Sequence, residues 1–220
     1  MKRILFIIAL AAILRFYNLG VNPPSLTWDE VAWGYNAYSL GIDGRDEHGR
    51  FLPLDYLESF GDFKPPLYAY LDVLPIKIFG LNEFAVRFPS ALFGTLTVLL
   101  TYFLVLEIFK IKKWEVGNGK KSLTTHLKNP DSHFSLHTSS IALLASFLLA
   151  ICPWHINLSR AAFEANVGTF FIVCGIWLFL KCVQGKMWLL PLSAVSFIVS
   201  IYVFNTARVV APILLLFLLL

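Results

Sequence analysis

The sequence predicts an all-α, polytopic membrane protein, and three observations carry the prediction. Of 220 residues, 57% are hydrophobic and only 15% charged, with a mean hydropathy of +0.69. The apolar residues come in long blocks, each close to the ~20 residues that a helix needs to span hydrocarbon. A soluble domain would spread them over short amphipathic faces. A transmembrane barrel would alternate over strands of about ten residues, a pattern that does not occur here. Finally, lysines and arginines gather in alternate connections, as the positive-inside bias requires. The net charge of +4 and the pI of about 9.0 therefore express topology. No basic stripe with interleaved aromatics is present, so nucleic acid is not an expected partner.

The N-terminal run "MKRILFIIALAAILRF" has the basic start and apolar core of a signal peptide. The many later apolar blocks argue instead for an uncleaved first span over residues 4–21. Further spans are expected at 88–109, 139–153, 167–180, 187–204 and 209–220. The last block, "APILLLFLLL", stops with no polar flank. The chain is accordingly expected to be the N-terminal part of a longer protein. Cys152, Cys174 and Cys182 fall in or beside apolar runs without metal-ligand spacing and read as small buried hydrophobes.

The segment between the first two spans holds "LYAYLDVLPIKIF". It is too short to cross a membrane, and Asp72, Pro75 and Lys77 interrupt it. Were it to cross, Lys110, Lys112, Lys113, Lys120, Lys121 and Lys128 would lie opposite Lys2 and Arg3. If it lies in the interface, all of these and Lys181 and Lys186 share one side. Residues 67–79 are therefore expected to form an interfacial helix, with Leu67, Leu71, Leu74 and Ile78 as its lipid-facing stripe. Residues 22–87 become an extracytoplasmic loop with interfacial helices, and 110–137 a cytoplasmic loop. The N-terminus is cytoplasmic in this scheme, in a multi-pass protein of the plasma (inner) membrane.

This topology gathers the polar residues on the outer side. In "NPPSLTWDEVAWGYNAY", Asp29 and Glu30 follow a threonine suited to capping a helix. Acidic residues favour a first helical turn through the dipole, and a carboxylate at the membrane surface also suits a general base or a metal ligand. Lys64 precedes two prolines in "FKPPL", as a snorkelling anchor or as a phosphate ligand. Arg87, Arg160 and Arg208 stand at outer span ends, the side that disfavours cationic anchors. Their planar forks suit phosphate. Arg15 lies within the first block, where a charge pairs with an acid or serves function. Glu164 and Asn166 open a span beside Arg160. Together these residues suit a substrate with a lipid tail, a phosphate and a group to be transferred.

"NPPSLTWDE", "FKPPLYAYL" and "FGLNEFAVRFPSALFGTLTVLLTYFL", with the later "NLSRAAFEAN" and "YVFNTARVVAP", resemble the N-terminal part of lipid-linked sugar transferases with the GT-C fold. The aminoarabinose transferase of lipid A and the protein O-mannosyltransferase group are the most similar members. The resemblance covers most of the chain outside the lysine loop. It implies an inverting glycosyltransferase with a polyprenyl-phosphate sugar as donor and a lipid, glycan or protein hydroxyl as acceptor. Asp29 and Glu30 match the acidic motif of the first outer loop, Lys64 the lysine before Pro-Pro, and Arg87 the arginine before the second span. Ala32-Trp33 stand where the aminoarabinose transferases carry Arg-Tyr, and Phe63 stands where they carry Glu. No cofactor is specified, although the acidic pair is compatible with a divalent metal. Asp29 is expected to act as base with Glu30 orienting it, while Lys64, Arg87, Arg160 and Arg208 hold the lipid phosphate and Arg15, Glu164 and Asn166 complete the pocket. The chain by itself is expected to be inactive. A lipid-phosphate transporter would need the same cations but no base, and a non-catalytic lipid-binding fragment would need neither base nor turnover.

Overall fold

Each long apolar block becomes a helix, because hydrocarbon offers the backbone no hydrogen-bond partner outside the segment itself. The computed structural model describes residues 2–119 and 130–219. In chain order they form α1 (Lys2–Phe16), α2 (Trp28–Asp43), β1 (Leu57–Ser59), β2 (Asp62–Lys64), α3 (Leu67–Phe79), α4 (Glu83–Gly119), α5 (Pro130–Ile151), α6 (Pro153–Arg160), α7 (Glu164–Val183), α8 (Leu190–Val203) and α9 (Ala207–Leu219), with a single 3-10 turn before α8. Two helical stretches are long and apolar enough to cross a membrane, Glu83–Lys110 in α4 and α7. Thr138–Ile151 and α6 make a third if counted as one span, bent by 57°. The bend has a local cause. Pro153 cannot donate to the ladder and forces Cys152 out of the helical region, to φ −62 and ψ 115. The first helix ends at Phe16, sooner than expected, and the chain turns through residues 17–21.

α4 is the central helix and touches α1, α3, α5, α6 and α7. Its Ala85 and Val86 join Trp33, Leu40, Tyr68 and Val167 in the larger core cluster. Its Val98 meets Ile7, Ala11 and Ala150 in a second. Large apolar side chains such as Phe6, Ile13, Leu148, Ile198 and Phe217 point outward, as a lipid-facing surface requires.

The connection between α1 and α4 is the part that departs most from expectation. Helices do form at α2 and α3, but an antiparallel hairpin lies between them, pairing Leu57 with Lys64 and Ser59 with Asp62. Its two-residue turn has positive φ at both positions, 54° at Phe60 and 75° at Gly61, as a tight hairpin turn demands. α3 is one-sided, but only half of the expected lipid-facing stripe is outward, because Leu67 and Leu71 pack against the larger core cluster. Leu74 and Ile78 are exposed while Tyr68, Ala69, Asp72 and Ile76 are buried. α4 and α5 carry helix into the region expected as a cytoplasmic loop, and Lys120, Lys121, His126 and Lys128 lie outside the described residues.

Close helix approach is set by Gly94. A Cβ there would stand 2.1 Å from Ser159 Oγ and 3.1 Å from Asn166 Nδ2, so α4, α6 and α7 meet at this point. Gly94→Ala should therefore destabilise the fold by about 1–3 kcal/mol through overpacking, read as a lower melting temperature in detergent. Ser159→Gly in the same chain should recover much of the loss, because the two changes are directly coupled.

Candidate functional site

The site begins at the start of α2. Thr27 Oγ1 accepts from the Glu30 N–H at 3.3 Å, and Glu30 Oε2 accepts from the Thr27 N–H at 2.8 Å. This reciprocal capping box fixes the first turn of the helix. Neighbouring helical positions point about 100° apart, so one carboxylate is turned inward and the other outward. Glu30 is 1% exposed and Asp29 remains open to solvent.

Inward, Glu30 Oε1 accepts from Arg87 Nε at 2.7 Å and from the Ala162 N–H at 3.1 Å. Burial pushes the Glu30 carboxyl up. The Arg87 guanidinium and the backbone N–H groups of Thr27 and Ala162 more than offset this, so the group is held below its usual range. Arg87 is fully buried. Its remaining donors reach Glu30 Oε2 and the carbonyls of Leu19, Pro23 and Ser25. All five N–H groups are thereby committed, and Arg87 offers none to a phosphate in this arrangement, contrary to the sequence expectation.

Arg160 and Arg15 work in the same way. Arg160 donates to the carbonyls of Leu14, Arg15, Asn18 and Asn22, where the chain leaves α1. Arg15 donates to the carbonyls of Ala11, Leu149 and Ala150 and to His155 Nδ1 at 2.8 Å. The arginine can only donate, so His155 accepts at Nδ1 and carries its proton on Nε2. No acid pairs with Arg15 among the described residues. Instead it binds the carbonyls at the break before Pro153, together with Ala11 O and the His155 ring. Asn166, also buried, donates to Ser90 O at 2.7 Å.

Outward, the parts differ. Lys64 Nζ sits 2.7 Å from Asp29 Oδ1 and 2.7 Å from Asp62 Oδ2, and 5.8 Å above the buried Trp33 ring. Burial lowers the Lys64 ammonium, but the carboxylates of Asp29 and Asp62 outweigh it and raise the group. Glu164 lies within electrostatic reach of Lys64, Asp29 and Asp62. Lys64 also lines a cavity of about 440 Å³ with Arg208, Asn205, Asp55, Tyr56 and Phe63. Asp29, Lys64, Glu164 and Arg208 are thus associated through Lys64, while Arg15, Arg160 and Asn166 belong to the frame behind. Among the described residues no three histidine, cysteine or acidic groups converge as metal ligands would.

Two residues were missed. Trp33, set down in the sequence only as a departure from Arg-Tyr, forms the floor under Lys64. Asp72, which counted only against a membrane span, is fully buried with neither oxygen hydrogen-bonded among the described residues. Burial, and then the nearby Glu30 charge, holds its carboxyl well above the usual range. An isolated aspartate between a leucine and a valine gives no sequence signal of that burial.

The buried pair makes an acid-stability prediction. The folded-state pKa of Glu30 lies below the unfolded one, so its contribution is complete above about 4.3. It is lost as the pH falls through the folded-state value. Glu30→Gln should weaken the fold by about 3–5 kcal/mol at neutral pH, because Arg87 is left as an uncompensated buried charge. Denaturation followed from pH 7 down to 3 should show a flatter acid limb for the variant.

Comparison with known proteins places this chain beside longer relatives by sequence alone. "Putative mannosyltransferase YkcB" of Bacillus subtilis (strain 168) is 29% identical over 226 residues, covering 97% of this chain and 25% of that protein. An uncharacterized protein of Aquifex aeolicus (strain VF5) is 36% identical over 110 residues, 49% of this chain and 20% of its own length. The chain thus spans about a fifth to a quarter of the length of these curated relatives. No solved structure matches it. The model of the dolichyl-phosphate-mannose-protein mannosyltransferases matches residues 5–114. That stretch carries Arg15, Asp29, Glu30, Lys64 and Arg87, and it covers half of the 220 residues. On that match the chain belongs to the dolichyl-phosphate-mannose-protein mannosyltransferase family.

Proposed function

We propose that the chain supplies the acidic loop and part of the donor pocket of a membrane glycosyltransferase, which moves a sugar from a polyprenyl-phosphate donor to an acceptor hydroxyl. The observation that carries this reading is the meeting of Asp29 and Lys64 at 2.7 Å, with Lys64 lining a cavity that also holds Arg208. A base and a cation lie together there, as displacement from a sugar phosphate needs. The hydroxyl oxygen bonds to the anomeric carbon, and its proton passes to the Asp29 carboxylate. The bond from that carbon to the phosphate oxygen breaks, and the electron pair leaves with the polyprenyl phosphate. Attack opposite the leaving group inverts the anomeric centre. Lys64 and Arg208 stabilise the departing charge. A phosphate on Lys64 also replaces Asp29 as its partner, which frees the carboxylate to accept the proton. Glu30 and Arg87 act as positioning residues, and Arg160 steadies the chain leaving α1.

The loop of residues 22–82 faces the extracytoplasmic side of the plasma membrane in this reading, and the lysine-rich connection the cytoplasm, from the lysine distribution. In a background without Cys152, Cys174 and Cys182, Asp43→Cys should react with an impermeant thiol reagent in intact cells, and Lys120→Cys should react only after lysis. Reaction of position 120 from outside would overturn the topology.

In the full-length protein, Asp29→Asn should lower kcat by about 10²–10⁴-fold with the donor KM nearly unchanged. Lys64 still holds Asp62 in that variant, so the pocket keeps its cation in place. Lys64→Ala should instead raise the donor KM, since it removes binding shared by ground and transition states. Reconstituted transfer from a polyprenyl-phosphate sugar would separate the two. Turnover of Asp29→Asn near the wild-type rate would exclude it as base and favour a lipid-phosphate transporter.

A further inference from the structure

A second cleft lies at the other end of α1, away from the Lys64 cavity. α1 and α5 run parallel, as Arg15 meets Ala150 at one end while Lys2 and Ser140 share the other. Between them at that end is a cleft of about 550 Å³. Lys2, Arg3 and Ser140 contribute its polar atoms, and Phe6, Leu144 and Phe147 part of its apolar wall. Phe147 is two turns along α5 from Ser140, about 10 Å at 1.5 Å per residue. α1 contains no acidic residue, and among the described residues no carboxylate pairs with Lys2 or Arg3.

We propose that this cleft is a binding site for an anionic glycerophospholipid, with the phosphate on Lys2 and Arg3 and an acyl chain along Phe6, Leu144 and Phe147. Both ends of the cleft constrain the ligand. A neutral lipid would bring no net counter-charge to Lys2 and Arg3, which have none among the described residues. A soluble anion would leave the apolar wall uncovered, with Phe6 69% and Leu144 56% exposed. An amphiphile with one charged end satisfies both, and basic pockets between helices recognise such headgroups. The site is separate from donor binding at Lys64 and does not depend on that assignment.

The test uses the purified 220-residue chain in micelles doped with phosphatidylglycerol or phosphatidylcholine, with bound lipid counted by native mass spectrometry. Phosphatidylglycerol should be retained in preference to phosphatidylcholine. Joint Lys2→Gln and Arg3→Gln substitution should weaken its retention about 25-fold, roughly five-fold for each cation. Leu144→Trp, which fills the cleft and leaves both cations, should also weaken it, while helical circular dichroism shows each variant folded. Millimolar glycerol phosphate should not displace the lipid. On the unsubstituted chain, a photoactivatable phosphatidylglycerol should label residues 140–147. Equal retention of the two lipids, wild-type retention by either variant, displacement by glycerol phosphate, or labelling confined to other helices would each overturn the proposal.

Discussion

The ion pair between Glu30 and Arg87 is the contact on which the rest of the loop depends. Four stretches of chain meet there: the capped start of α2, the first turns of α4, the irregular backbone of residues 19–25, and the Ala162 N–H before α7. Non-helical backbone is tolerated beside a membrane only where its polar groups find partners within the protein. The prolines at 23 and 24 prevent a regular ladder here, so carbonyls are left over. Arg87 collects three of them and Arg160 collects those at the end of α1. Arg15 does the same at the break before Pro153. Three arginines thus hold three irregular chain passages with directional donors, and the position of Asp29 follows from them.

Much of this was legible in the sequence, but unevenly. Hydropathy blocks and lysine placement lead to helices and to a one-sided α3, because burial in lipid leaves a long-range compositional trace. The pairing of Asp29 with Lys64 is foreshadowed only as a shared side. The division of the cations was not legible. Arg87 and Arg208 look alike in sequence, each a lone arginine at a span end. The difference is whether five donors are already occupied, and that depends on carbonyls distant in the chain. The hairpin escaped because strands of three residues are too short to show alternation, and its turn uses Phe60, an unusual residue at positive φ. For Arg15 the sequence offers an acidic partner or a place in the pocket, since charge complementarity can be read from residue types. Carbonyls released by a proline on another helix cannot.

The two carboxylates of one dipeptide show how burial divides labour. Glu30 is almost wholly enclosed, so removing either partner of its pair strands a charge at a cost of about 3–5 kcal/mol. That contact is suited to holding and unsuited to exchange. Asp29 and Lys64 are no farther apart, but Asp29 is 43% exposed. The Lys64 side chain is 11% exposed, so the pair is open to water from the Asp29 side, and that is the side from which the proposed phosphate would reach the lysine. Asp62 on the same ammonium eases the exchange further, because Lys64 keeps a counter-charge whichever partner leaves. A capping box that turns one acid into the protein and leaves its neighbour open to solvent therefore separates anchoring from the proposed chemistry within two residues. Trp33, one turn farther along the same helix, supplies the surface under the Lys64 ammonium, 5.8 Å from its ring.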